Sequence, residues 1–187
     1  AMKSTVPVGT CQKAIEALVE LGLKESTDFD IVSNPEFLRE GSAIQDFFRP
    51  DRVVVGGKND KAIALVGSVY STLYRIENPL ISTNLETSEL SKYASNSFLA
   101  TKISFINELA NFCDAVGADI HTVASIMGSD GRISKYFLHP GPGYGGSCFP
   151  KDTLARVSQG NEHNVNLNVV NAVIQANAHQ KKIVIEK

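Results

Sequence analysis

No stretch of this 187-residue chain approaches the ~18 consecutive apolar residues that a membrane-spanning helix requires. An excess of one charge is also missing: 18 Lys and Arg stand against 20 Asp and Glu, a net charge of −2. That balance gives no global electrostatic case for nucleic acid or for an anionic membrane. Cysteine is scarce. There are three (Cys11, Cys113 and Cys148), and no C-x-x-C pair. An odd, scattered set indicates neither a disulfide framework nor a zinc knuckle, and it fits a reducing, cytoplasmic setting. The four histidines, His121, His139, His163 and His179, keep no ligand spacing with one another or with a cysteine, so no metal is expected. Repeats and low-complexity tracts are absent. The opening Ala1-Met2-Lys3 leads into no apolar stretch, so no secretory signal is expected. With 43% hydrophobic and 20% charged residues, the chain is composed like a folded one. Its length suits one ordinary domain or two small ones, with a core that needs no disulfide.

The first ~80 residues alternate between strand and helix patterns, as parts of an α/β sheet do. Residues 3–9 read as a strand end and turn, followed by a helix from Thr10 to Leu21 with Gly22 as its C-cap. Phe29–Val32 is a short strand candidate stopped by Asn34-Pro35. Residues 36–49 read as loop plus a helical turn. Val53-Val54-Val55, closed by Gly56-Gly57, has the continuous β-branched character of a buried parallel strand. Asp60–Tyr74 reads as a helix. Thr83-x-x-Glu86 is a capping-box signature. Apolar-face positions then recur every three or four residues through Leu90, Ala94, Phe98, Thr101, Phe105, Leu109, Phe112 and Val116. One long amphipathic helix ending at Gly117 is expected. A short helix near Ile120–Met127, a Gly/Pro-rich stretch over 128–149, a helix starting near Pro150 or Asp152 and a last helix from about Leu167 complete the pattern.

The chemistry concentrates in 141–153, where Cys148 stands between a glycine-rich loop and a helix start, with Lys151 close behind. Helix N–H groups and a nearby ammonium favour the thiolate, so this position suits a nucleophile. A small buried cysteine beside a structural loop is the alternative. Cys11 and Cys113 lie on helix patterns and read as packing residues. Gly141, Gly143 and Gly146 match G-x-G-x-x-G, but no strand pattern precedes them and Pro142 interrupts them, so the match is accidental for a dinucleotide. Lys92 and Asn96 share a helix face. They could stabilise an oxyanion, or lie on a solvated face.

Four motifs then occur in order: Ser4-Thr-Val-Pro-Val-Gly9, Asn34-Pro-Glu-Phe-Leu-Arg-Glu-Gly41, Lys92-x-x-x-Asn96 running into Phe105-Ile-Asn-Glu-Leu109, and Gly143-Tyr-Gly-Gly-Ser-Cys-Phe-Pro-Lys-Asp152. Together they resemble the UDP-glucose/GDP-mannose dehydrogenase family, NAD-dependent enzymes that oxidise a nucleotide sugar twice, from alcohol to acid. The Pro-Gly-Pro-Gly-Tyr-Gly-Gly-Ser-Cys version most resembles the UDP-glucose branch, with GDP-mannose or a UDP-N-acetyl-hexosamine as alternatives. The resemblance implies an α/β partial Rossmann-like sheet followed by an all-helical domain of the 6-phosphogluconate-dehydrogenase C-terminal kind, mostly α. Residues 1–82 would be the C-terminal part of an NAD-binding domain, and 83–187 a helical central domain that dimerises and carries the cysteine. The family's first half-Rossmann and its C-terminal nucleotide-binding domain have no counterpart here, so the chain resembles the middle of such an enzyme and is expected to be inactive alone.

The same resemblance assigns roles. Cys148 would be the nucleophile, Lys92 and Asn96 the oxyanion holders, and Asp152 an orienter of water near the thiolate. Thr5 and Glu40 would position water, with Glu36 or Glu40 as the base for thioester hydrolysis. Glu36, Phe37, Leu38, Arg39 and Glu40, with Lys92, Asn96 and the loop His139, Pro140, Gly141, Pro142, Gly143, Tyr144 and Gly145, would hold the substrate. Arg132 would reach a diphosphate in a neighbouring subunit. Ser4, Thr5, Val6, Glu40 and Lys151 would touch NAD. The partners implied are a nucleotide sugar and a second copy of the chain, with Phe98, Phe105, Leu109 and Phe112 facing that copy; no nucleic acid or membrane is implied. A purely structural dimerisation module is a competing reading. A cysteine hydrolase is disfavoured, because only His139 lies near Cys148 and a thiolate needs a paired base.

Overall fold

The computed structural model describes residues 1–71 and 80–186, and it divides into two compact units, Ala1–Lys92 and Tyr93–Lys187. The first unit opens with α1 (Thr10–Glu20), which buries Cys11 and Ile15 one turn apart. Gly9 precedes it at φ 90° and Gly22 follows at φ 89°, a conformation glycine adopts without steric cost. Then come β1 (Val32–Ser33), α2 (Ala43–Phe48), β2 (Val53–Gly57), α3 (Asp60–Ser71) and β3 (Leu80–Thr83). The sheet order is β1-β2-β3. β2 runs parallel to β3, with Val53 opposite Leu80, and antiparallel to β1, with Val32 opposite Gly57. Val32, Val53, Val55, Ile63 and Tyr70 form one core; Cys11, Ile15 and Leu85 form another.

Several expectations need correction here. Phe29–Val32 does not form a strand, because a local turn takes its first residues: the Ser26 N–H donates to Phe29 O at 2.8 Å. Only Val32–Ser33 reaches β2. The strand end at 3–9 shrinks to a single bridge, Met2 with Ser33. The helical turn within 36–49 is the complete helix α2. β3 gave no periodic signal, being four residues long with a half-buried, mixed pattern. The capping box also moves by one residue: Thr83 ends β3, and the Asn84 side chain accepts from Thr87 N at 2.8 Å. The expected helix over Asp60–Tyr74 is seen to Ser71, and residues 72–74 lie outside the described residues.

α4 (Leu85–Val116) is the long helix the spacing predicts, ended by Gly117 at φ 71°. Its apolar stripe faces outward: Leu90, Phe98, Phe105, Phe112 and Val116 are all exposed, Phe98 at 66%. The buried side is largely polar, with Ser88, Glu89, Lys92, Asn96, Ser97, Ser104 and Asn107. β2 passes tightly under the start of this helix, since a Cβ on Gly56 would stand 2.4 Å from Asn84 O.

The second unit continues with α5 (Ile120–Ser129), α6 (Phe149–Glu162) and α7 (Asn168–Glu186). Asp119 caps α5, accepting from His121 N and Thr122 N. Pro150 sits in the first turn of α6, where its missing N–H costs nothing. α6 and α7 meet at a close corner: a Cβ on Gly160 would lie 2.6 Å from Val165 O. Ala100, Tyr144 and Val173 form the core, with Ile103 and Phe149 against it. No described helix is long and apolar enough to cross a membrane.

Candidate functional site

In the second unit the chain leaves the glycine loop and enters α6 at Cys148, which is the N-cap residue and is exposed. Its carbonyl accepts from Asp152 N at 2.9 Å, and its Sγ lies 3.7 Å from Ser147 Oγ. The alternative of a buried structural cysteine does not apply to it. Cys11 and Cys113 are the buried pair. One turn along α6, Asp152 is 1% exposed. Its Oδ2 accepts from Asn96 Nδ2 at 2.6 Å. Its Oδ1 lies 2.9 Å from Lys151 Nζ, an ion pair. The Asp152 carboxylate pushes the Lys151 pKa up. A desolvated carboxylate needs such partners to stay charged. Asn96, a single ammonium and an exposed thiol are thus gathered at the amino end of α6, where the helix dipole favours negative charge.

The loop before Cys148 is fastened by side-chain amides. Gly141 N donates to Asn107 Oδ1 at 2.7 Å, and Gly141 O accepts from Gln180 Nε2 at 2.9 Å. Tyr144 N donates to Asn177 Oδ1 at 2.7 Å, and Tyr144 O accepts from Asn177 Nδ2 at 3.1 Å. Ile103, Asn107, Tyr136, Phe137, His139 and Gly141–Gly143 line a cavity of about 450 Å³ beside it. His139, Pro142 and Gly145 keep exposed surface, while Tyr144 is buried. Arg132 is exposed and held by its own neighbour, its guanidinium 2.6 Å from Asp130 Oδ2.

In the first unit Lys92 is buried, so it does not lie on a solvated face. Its ammonium lies 3.3 Å from Glu36 Oε1 and 5.3 Å from the Phe37 ring centroid. Arg52 covers the same ring at 4.0 Å. Glu36 Oε2 accepts from Leu38 N at 2.7 Å. Asp46 accepts from the Arg39 backbone N–H and from its guanidinium, and those bonds hold its carboxyl well below the usual carboxylate range. Leu38, Arg39 and Glu40 are exposed. The sequence reading paired Lys92 with Asn96 and gave Glu36 and Phe37 separate roles; the structure sets Lys92 against Glu36 and Phe37, and Asp46, the fastener of their loop, was missed. Ser4 is exposed and Thr5 and Val6 are half-buried, between the Met2 bridge and α1. The amino end of α1 is closed to an anion, because the Glu89 carboxylate already accepts from Gly9 N at 2.7 Å and Cys11 N at 2.8 Å.

Residues 1–74 match the NAD binding domain of the UDP-glucose/GDP-mannose dehydrogenase family, and residues 86–179 match its central domain. The chain is 50% identical over 182 residues to a UDP-glucose 6-dehydrogenase of Rhizobium meliloti, covering 96% of this chain and 41% of that protein. It is 47% identical over 185 residues to the UDP-glucose 6-dehydrogenase TuaD of Bacillus subtilis, covering 99% of this chain and 39% of that one. The structure superposes on a UDP-glucose dehydrogenase from Pyrobaculum islandicum with a TM-score of 0.87 at 41% identity, covering 95% of this chain and 40% of the other. A GDP-mannose dehydrogenase from Pseudomonas aeruginosa gives 0.65 at 33% identity, over 95% and 41%. The chain therefore spans about two fifths of the length of these relatives.

Proposed function

The chain belongs to the UDP-glucose/GDP-mannose dehydrogenase family, and on that footing we propose that it serves the two-step oxidation of UDP-glucose to UDP-glucuronate, with Cys148 as the nucleophile. The observation that carries this reading is the exposed thiol at the amino end of α6, one turn from the buried Asn96–Asp152 pair. UDP-glucose is chosen because the relatives of 47–50% identity bear that name.

NAD, when bound, accepts the hydride released at each oxidation. Ser4, Thr5 and Val6 are suited to its nicotinamide end, with Glu40 and Lys151 as further contacts. The pyrophosphate is not assigned to α1, whose N–H groups are taken by Glu89. Cys148 as thiolate adds to the C6 aldehyde, forming a C–S bond, and the carbonyl oxygen takes up a proton to give a thiohemiacetal. Loss of hydride from that carbon, together with release of the hydroxyl proton to water, leaves a thioester. Water then breaks the C–S bond, giving the carboxylate and returning the thiol. A soft thiolate suits both the addition and the departure. Asn96 and Lys92 donate to the oxygen that becomes negative. Asp152 keeps Asn96 and Lys151 in place. Glu36 or Glu40 removes the proton from attacking water, with Thr5 holding that water. Glu36–Glu40 and His139–Gly145 hold the sugar and phosphates. Arg132 engages a diphosphate after exchanging Asp130 for it. A second copy of the chain covers the exposed phenylalanines of α4.

The test is to replace the matching segment of the Rhizobium meliloti enzyme with this chain. The hybrid is expected to produce NADH from UDP-glucose and not from GDP-mannose, whereas the 187-residue polypeptide alone is expected to produce none. Cys148→Ala in the hybrid should lower turnover by about 10³-fold or more. A Cys148→Ala hybrid with unchanged turnover sinks the proposal.

A further inference from the structure

The glycine loop contains the most flexible composition in the chain, yet it must present a site. Ordering a glycine costs more conformational entropy than ordering any other residue. Something must offset that cost, and three side chains distant in sequence bond the backbone groups of Gly141 and Tyr144. Asn107 of α4 takes the Gly141 N–H, and Gln180 of α7 donates to the Gly141 carbonyl. Asn177, one turn before Gln180, takes the Tyr144 N–H and returns a bond to the Tyr144 carbonyl. Both peptide groups of each residue are thus satisfied on either side of Pro142-Gly143. Gln180 is itself braced, its Oε1 accepting from Asn111 Nδ2 at 2.8 Å. The fit is close: a Cβ on Gly143, whose φ is 101°, would stand 2.5 Å from Asn177 Oδ1. All three amides are buried, at 2%, 5% and 8% exposure. A buried amide costs stability where its bonds are not made; Asn177 spends both of its groups on this loop and Gln180 one, while Asn107 gives the loop its oxygen and keeps a buried Nδ2 without a partner among the described residues.

We propose that Asn107, Asn177 and Gln180 form an amide clamp that sets the shape of the loop Gly141–Tyr144 and, through it, the placement of Cys148. They are positioning residues. The inference rests on Cys148 as the reacting group, but its test needs neither nucleotide sugar nor NAD, so it fails separately from the function proposed above.

Two quantities are read on the 187-residue chain. The first is hydrogen exchange at the Tyr144 amide. The second is the rate of Cys148 alkylation by iodoacetamide, located by peptide mass. Asn177→Leu keeps the volume and removes both bonds. It should speed Tyr144 exchange by about tenfold and slow Cys148 alkylation by about threefold, because a thiol held at a helix amino end reacts faster than one that wanders from it. Gln180→Glu, which keeps the acceptor for Asn111 and loses the donor to Gly141, should act in the same direction and covers the case in which Asn177→Leu does not fold. Thr122→Ala, which removes a bond at the start of α5, is the control and should change neither. Unchanged Tyr144 exchange in the clamp variants overturns the proposal. So does faster exchange with an unaltered or raised alkylation rate.

Discussion

Burial divides the three cysteines by role. Cys148 is exposed at a helix start, while Cys11 is fully buried. Burial first, and the Glu89 hydrogen bond and charge next, push the Cys11 thiol from 9.0 up to about 12. A raised folded pKa means the folded chain keeps a proton that the unfolded chain has already lost. The associated stability is therefore intact below pH 9 and drains as pH rises toward about 12. The urea midpoint should fall across that window, and Cys11→Val should lose less of it; an equal fall in both would contradict this. Cys148, Lys92 and Asn96 drew attention through motif order, because their neighbours in sequence carry the pattern, and their roles remain proposals. Asn177 and Gln180 were not. Their partners are loop backbone groups 33 and 39 positions away, and a lone amide on a helix leaves no spacing signature.

At the level of elements, period 3.6 and end signals were enough for the helices. α1, α4, α5, α6 and α7 begin and end close to where Gly9, Gly22, Gly117 and Pro150 place them. β1 and β3 were harder because strands of two and four residues are too short to show alternation. Both are paired by β2, a contact distant in sequence, and β1 is bridged besides by Met2. α4 is the instructive case. Its periodicity marked a stripe correctly, and its buried side turned out to be the polar one, carrying Lys92, Asn96 and Asn107. Phe98, Phe105 and Phe112 are exposed at 66%, 49% and 61%. Large apolar side chains repeated along one face are a surface to be covered. Sedimentation velocity should show self-association that Phe98→Glu and Phe105→Glu together abolish. A wild-type chain that stays monomeric at every concentration tested would contradict the dimer.

For the whole molecule, two compact units carry the two groups of residues on which the proposed function rests. One holds Lys92 against Glu36, and the other holds Cys148 near Asp152 and Asn96. Composition alone spoke only of a folded chain of near-zero charge. The order of four short motifs spoke of a family, and the family models cover residues 1–74 and 86–179. What could not be read at this scale was the fastening of the parts, since Asp46, Asn177 and Gln180 act through backbone groups of loops. The central claim is that a covalent bond forms at Cys148 during the second oxidation. The direct measurement is peptide mass spectrometry of acid-quenched Rhizobium meliloti hybrid enzyme carrying Glu36→Gln and Glu40→Gln, which should slow thioester hydrolysis, during turnover of UDP-glucose. The account predicts a UDP-glucuronyl mass increment on the peptide containing Cys148. Continued acid formation with that peptide unmodified, or with the increment on another residue, would contradict it.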